Sequence, residues 1–252
     1  MLKKRIIPLL LWSDGRLVKT VAMANPRVVG EPVRTCRVYS DQDADELVLL
    51  DISAGKERRA EFIEVIRRVS SSVMMPITAG GGVRFEEDAA GLFEAGADKV
   101  FINSAAYRDL DLIEAIAKTY GAQSIMVGID HGQTSNRTVL FSQRGSTPEA
   151  IGLKDHIISA QSAGAGEILL QSVQREGTKV GLDLESLQTA LEVSSLPLIS
   201  SGGVGNFTHI REALERGAAG VACGTLFNYG DHNPIRAKAY LRNYGVALKT
   251  SQ

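Results

Sequence analysis

The chain has 252 residues, 44% of them hydrophobic and 23% charged, with 28 basic against 29 acidic side chains and a net charge of −1. That length suits one α/β domain, large enough to bury roughly three quarters of its unfolded surface without a disulfide or a structural metal. The near-neutral balance gives no electrostatic footprint for nucleic acid or an anionic membrane.

Cys36 and Cys223 lie far apart and lack metal-ligand spacing, which fits a reducing compartment. The apolar run Ile6–Trp12 is too short to span a bilayer and carries no small-residue cleavage site. The expectation is a soluble, cytoplasmic protein that uses no cofactor or metal.

In chain order, apolar runs of strand length fall at Arg5–Leu11, Glu46–Asp51, Met74–Ala79, Lys99–Asn103, Ile125–Asp130, Glu167–Gln171, Pro197–Ser201 and Gly220–Gly224. Helical periodicity fills Arg58–Val69, Glu86–Ala95, Asp109–Tyr120, Leu153–Ala163 and Phe207–Arg216. Strand-then-helix alternation implies parallel strands with right-handed crossovers, and eight units suit a closed (β/α)8 barrel. A doubly wound open sheet is the alternative that the pattern leaves. A shift of 121 residues takes Glu46 onto Glu167, Leu49 onto Leu170, Pro76 onto Pro197, Gly81-Gly82 onto Gly202-Gly203, and Asn103-Ser104 onto Gly224-Thr225. A constant offset over such spread positions points to two fused (βα)4 half-barrels, about 1–121 and 122–252, closing one domain over 1–252. The unpatterned stretches Trp12–Gly30 and His131–Ser146 each follow a strand and are read as long loops over the catalytic face.

Gly80-Gly81-Gly82 and Ser201-Gly202-Gly203 each end a strand and lead into a helix. There, backbone N–H groups and the helix dipole can grip an anion. Asn103, Ser104, Gly224 and Thr225 end the neighbouring strands and can complete each cradle. Tight βα turns are the plainer account of either loop alone. Two loops at one offset suit a phosphorylated small molecule with a phosphate at each end. Asp130 and Asp51 close strands at the same mouth, where barrel carboxylates do catalysis or anchor a loop. At the other end Arg5, Glu46, Lys99 and Glu167 each open a strand. Period-2 alternation puts Lys99 on the face of Phe101 and Asn103, toward the axis. The four form either a neutral ring closing the barrel floor or surface salt bridges.

Together these residues resemble the cyclase subunit of imidazole-glycerol-phosphate synthase, a histidine-pathway barrel that receives ammonia from a glutaminase. The resemblance covers essentially the whole chain. It includes Arg5-Ile6-Ile7-Pro8, Asp14-Gly15-Arg16, Lys19, Asp45-Glu46-Leu47, Asp51, Gly80-Gly81-Gly82, Ile102-Asn103-Ser104, Asp130, Gly177-Thr178 and Ser201-Gly202-Gly203. It implies that Arg5, Glu46, Lys99 and Glu167 gate ammonia, and that a glutaminase docks on that face. It implies phosphate binding by Lys19, Asp51, Gly81, Gly82, Asn103, Ser104, Gly177, Gly202, Gly203, Gly224 and Thr225, with Asp130 as one of two catalytic aspartates.

The other aspartate is replaced by Leu11, which can neither give nor take a proton; losing such a group costs about 10²–10⁴-fold. Gln171, Gln174 and Glu176 stand where the family has Thr or Ser, Asp and Asp. Phe101 replaces a small residue on the ammonia path, with Gly128 and Ala222 at similar depth. The first strand with Asp14–Lys19 and Asn25–Gly30 is similar to a sub-branch from bacterial surface-polysaccharide gene sets. That sub-branch accompanies a second glutaminase and a sugar amidotransferase in acetamidino-sugar formation. The leading expectation is a diverged cyclase-type subunit of that kind. The alternatives are an authentic histidine-pathway cyclase, a non-catalytic ammonia conduit, and the pathway's isomerase barrel, which Leu11 weakens equally.

Overall fold

The apolar runs are the staves of a closed barrel in the computed structural model, which describes residues 3–53, 59–134, 137–229 and 231–249. In chain order the strands are β1 (Arg5–Ser13), β2 (Arg16–Val21), β3 (Ala24–Gly30), β4 (Leu47–Asp51), β5 (Ile77–Gly80), β6 (Lys99–Ile102), β7 (Ile125–Thr134), β8 (Arg137–Ser142), β9 (Thr147–Glu149), β10 (Glu167–Ser172), β11 (Leu198–Ser201) and β12 (Gly220–Cys223). The helices are α1 (Pro32–Asp41), α2 (Arg59–Ser70), α3 (Glu86–Glu94), α4 (Leu110–Tyr120), α5 (Leu153–Ser162), α6 (Leu184–Leu191), α7 (Phe207–Glu215), α8 (Thr225–Asn228) and α9 (Pro234–Arg242). Arg58, where the helical pattern begins, lies outside the described residues. None of the described helices is long and apolar enough to cross a membrane.

Parallel pairing runs β1–β4–β5–β6–β7–β10–β11–β12 and returns to β1, so the sheet closes and the open-sheet alternative falls. Two expectations need correction. The stretches read as loops are largely antiparallel ladders: β2 pairs with β1 and β3, and β8 pairs with β7 and β9. β3 gave no strand signal because it is exposed over most of its length, so no apolar alternation marks it. The run beginning at Met74 starts its strand only at Ile77, and Met74 itself is 97% exposed. A shift of 121 residues takes α1 onto α5, β2 onto β8, β5 onto β11, α3 onto α7 and β6 onto β12, end for end.

Alternation along each stave divides the core in two. Ile6, Leu10 and Trp12 of β1 point outward under the helices, where the Trp12 and Phe62 rings lie 5.3 Å apart. Ile7, Leu9 and Leu11 point inward and meet Val48, Leu50, Phe101, Met126, Leu169, Ile199 and Ala222 on the axis. The helices start on side-chain caps: Glu31 for α1, Asp109 for α4, Asp183 for α6, Asn206 for α7 and Asn233 for α9. Each cap oxygen satisfies a backbone N–H that the first turn leaves open. Beneath β1 a buried clamp joins distant parts of the chain. Lys238 Nζ of α9 donates to Asp45 Oδ1 at 2.7 Å, while Asp45 Oδ2 accepts from the Ile6 N–H at 2.7 Å.

The Phe101 ring fills the axis over Gly128. A Cβ on Gly128 would lie 2.1 Å from Phe101 Cζ, so any side chain there collides with the ring. Gly128→Ala is therefore expected to destabilise the barrel by about 1–3 kcal/mol through overpacking. Adding Phe101→Ser should remove most of that penalty, read from unfolding midpoints in a double-mutant cycle. Additive effects of the two substitutions would show that ring and glycine are not coupled.

Candidate active site

Both glycine loops require backbone conformations that a side chain forbids. Gly81 has φ +104°, and a Cβ there would fall 2.0 Å from the Asp51 carbonyl oxygen. Gly202 has φ +90°, and its Cβ would fall 2.5 Å from the Ser172 carbonyl oxygen. Each loop thus crosses hard against the end of a neighbouring stave and leads into a helix, with its glycines lining a space at the mouth. The two loops differ in what surrounds them.

The first loop opens into a cavity of about 870 Å³, which brings together Asp51, Gly81, Gly82, Asn103, Ser104 and Asp130. The second faces a pocket of only about 30 Å³, lined by Lys19, Gly177, Gly202, Gly203, Gly224 and Thr225. Leu11 and Gln171 border both spaces. In the second pocket Lys19 is ion-paired with Glu176, and burial pulls its ammonium down to about 8. Glu176 Oε2 also accepts from Thr20 Oγ1 and the Met23 N–H, each at 3.0 Å, and so pins the β2–β3 hairpin over this end of the mouth. Gln174 is drawn away: it exchanges hydrogen bonds with the Gln133 backbone at 3.0 and 2.8 Å.

Asp130 sits at the inner end of the larger cavity, buried beside Asn103. Burial pushes its carboxyl up to about 7, against a hydrogen bond from Asn103 that favours ionisation. Such a group can give or take a proton near neutrality. Asp51 is raised as well, by burial, although the Ser53 N–H and Oγ donate to its Oδ1 at 2.7 and 2.5 Å. Leu11 is buried at the same mouth, paired in register with Leu50 and Val18, and supplies no second acid. Phe101 closes the cavity from below.

The β8–β9 hairpin roofs the larger cavity, the face over which His131–Ser146 is expected to lie, through particular bonds that the sequence did not signal. The Gln143 N–H donates to Ser104 Oγ at 2.9 Å, and Arg144 Nη1 donates to the Ile52 carbonyl at 2.8 Å. The hairpin tips approach each other: a Cβ on Gly145 would lie 3.0 Å from Met23 Sδ. Arg84, Arg108 and Arg144 line this cavity, and sequence reading singled out none of them.

At the opposite end the four charges form a closed ring. Arg5 bonds Glu46 and Glu167, each at 2.7 Å, and Lys99 bonds the same two carboxylates at 3.1 and 2.6 Å. Thr78 Oγ1 adds a 2.7 Å bond to Glu46. Burial works against the charge on Arg5, but the hydrogen bond and charge of Glu167, with Glu46, outweigh it and raise the guanidinium pKa. Burial also works against the Glu167 carboxylate, and Arg5 and Lys99 outweigh it, leaving it below the usual range.

A family model described as histidine biosynthesis protein matches residues 5–233. The imidazole glycerol phosphate synthase subunit HisF of Exiguobacterium sibiricum is 43% identical over 252 residues, covering 99% of this chain and 100% of the relative. This chain belongs to the HisF family. The proteins of the same name from Dictyoglomus turgidum and Dictyoglomus thermophilum are each 40% identical over 250 residues, covering 99% of either chain. Within the family this member has a leucine at position 11 and a phenylalanine on its axis.

Asp130 yields a pH prediction. Its folded pKa lies above the unfolded value near 4, so the folded state holds a proton that the unfolded chain releases. That contribution is complete below pH 4 and is lost as pH rises toward 7. Asp130→Asn should remove this loss and be the more stable protein at pH 8, by on the order of a few kcal/mol. Urea unfolding at pH 5 and pH 8 measures it; the same pH slope in both proteins would assign the effect to another group.

Proposed function

We propose that this chain is the ammonia-receiving, cyclase-type subunit of a glutamine amidotransferase, with a glutaminase subunit docked on its N-terminal face. The observation that carries the reading is the ring of Arg5, Glu46, Lys99 and Glu167. It lies where the axis meets that face, its charges cancel in pairs, and Arg5 and Lys99 remain 16% and 17% exposed. A buried ion cluster is costly unless its members satisfy each other. Here they do, and the cluster can be reached from outside. At the mouth, the first cradle holds a phosphate of the acceptor and Asp130 moves protons next to it. The roofing hairpins keep water from the reacting atoms.

The names of the relatives favour imidazole glycerol phosphate synthase of histidine biosynthesis as the assembly. One observation favours a second reading, the acetamidino-sugar sub-branch: Leu11 leaves β1 with no acid at the mouth to accompany Asp130, and Gln171, Gln174 and Glu176 alter its second end. Expression in a histidine auxotroph lacking its cyclase subunit separates the two. Growth supports the histidine assembly; no growth, with glutamine hydrolysis by a partner still stimulated, supports the second.

Lys99→Ala leaves Glu46 and Glu167 without one of their two cations. Expected are loss of glutaminase stimulation and of ammonia transfer by about tenfold or more, with phosphate binding at the mouth intact. The assay is glutamine hydrolysis by the partner with and without this chain. Unchanged stimulation and docking would make the ring a purely structural ion cluster.

A further inference from the structure

The larger cavity carries more guanidinium groups than one phosphate needs. Arg84 lies on the loop from β5 to α3, two residues beyond Gly82. Arg108 follows Ser104 by four residues, before α4. Arg144 sits on the β8–β9 turn, next to Gln143, whose N–H bonds Ser104 Oγ. Three separate segments therefore bring an arginine to one cradle, and no single turn's geometry accounts for all three.

Their structural duties are light. Arg144 spends one N–H on the Ile52 carbonyl, out of the five that a guanidinium carries. Arg108 reaches Glu149 only at 3.5 Å and is 52% exposed. Among the described residues the Arg84 guanidinium finds no acceptor. The acids lining the cavity are Asp51, Asp109 and Asp130. Asp51 is engaged by Ser53, Asp109 caps α4 through the Leu112 N–H at 3.1 Å, and Asp130 holds its proton up to about pH 7. None of them meets the arginines in an ion pair. Guanidinium forks match pairs of phosphoryl oxygens, and several together suit adjoining phosphoryl groups.

We propose that the first cradle and its three arginines form a diphosphate site, with one phosphoryl group on Gly82, Asn103 and Ser104 and the adjoining one held by Arg84, Arg108 and Arg144. The organic part of the ligand lies inward along Leu11, Leu50 and Phe101, which give the cavity its apolar floor. A volume of about 870 Å³ accommodates an organic diphosphate. The inference rests on the phosphate reading of the first cradle proposed above, and on neither pathway.

The test is calorimetric titration of the full chain with orthophosphate and with pyrophosphate, free of divalent metal and at constant ionic strength. Amide chemical shifts of Gly82, Ser104, Gly203 and Thr225 report the location. Expected is one pyrophosphate per chain at Gly82 and Ser104, bound about tenfold or more tightly than orthophosphate. The triple variant Arg84→Ala/Arg108→Ala/Arg144→Ala should lose most of that preference and keep orthophosphate binding within about threefold, since the cradle amides remain. Arg144→Lys, which keeps the charge and loses the fork, should fall between. An unfolding midpoint close to that of the unmodified chain excludes misfolding of these exposed-site variants. Equal affinity for the two anions, a preference that survives the triple variant, or pyrophosphate shifts confined to Gly203 and Thr225 each overturn the proposal while leaving the cradle reading intact. Absence of orthophosphate from Gly82 and Ser104 overturns the cradle reading, and this proposal with it.

Discussion

Closing eight parallel strands on themselves creates an axis that alternate side chains must fill, and the rest of this molecule follows from how they fill it. With inward residues in layers, each stave contributes one residue in two. The lowest layer is ionic, the middle is apolar, and the uppermost carries Asn103, Asp130, Gln171 and Leu11. A charge can sit in the lowest layer because four of them neutralise one another there, and a carboxyl can stay protonated above because the apolar middle shields it. The two ends thus set their ionisation independently, although they share every strand.

The position of Phe101 sharpens that independence. The ring is accommodated by Gly128 on the next stave, and Gly80 on the other neighbour passes close to its backbone, where a Cβ would meet the Phe101 carbonyl oxygen at 2.4 Å. The missing side chain at Gly128 makes room for the ring, and that at Gly80 for the backbone beside it. The ring thus lies on the axis between the ionic layer and Asp130, packed among the inward apolar residues.

Much of this was readable in advance. Apolar runs located every stave of the barrel, and period-2 alternation put Lys99 on the axis, because both signals depend on local burial. The glycine loops were readable because only glycine tolerates the crossing at positions such as 81 and 202. What escaped depends on contacts between distant segments. The hairpin over the larger cavity is made of strands whose residues are mostly half-exposed, so periodicity could not mark it. Arg84, Arg108 and Arg144 are ordinary surface arginines until the fold sets the three segments that carry them around one cavity. The Lys19–Glu176 pair is likewise invisible, since its members are joined only when β2 lies over the end of β10.

The Asp45 clamp carries a consequence for how the chain reaches this state. Asp45 is buried beneath β1, and its cation, Lys238, belongs to α9, 193 positions later in sequence. During synthesis the early staves are complete long before that cation exists, and an unpaired buried carboxylate costs several kcal/mol. The first strand therefore gains the full stability of this clamp only once α9 has docked beneath it. The α9 helix acts as a latch, fastening a late segment of the chain to its first stave through Lys238.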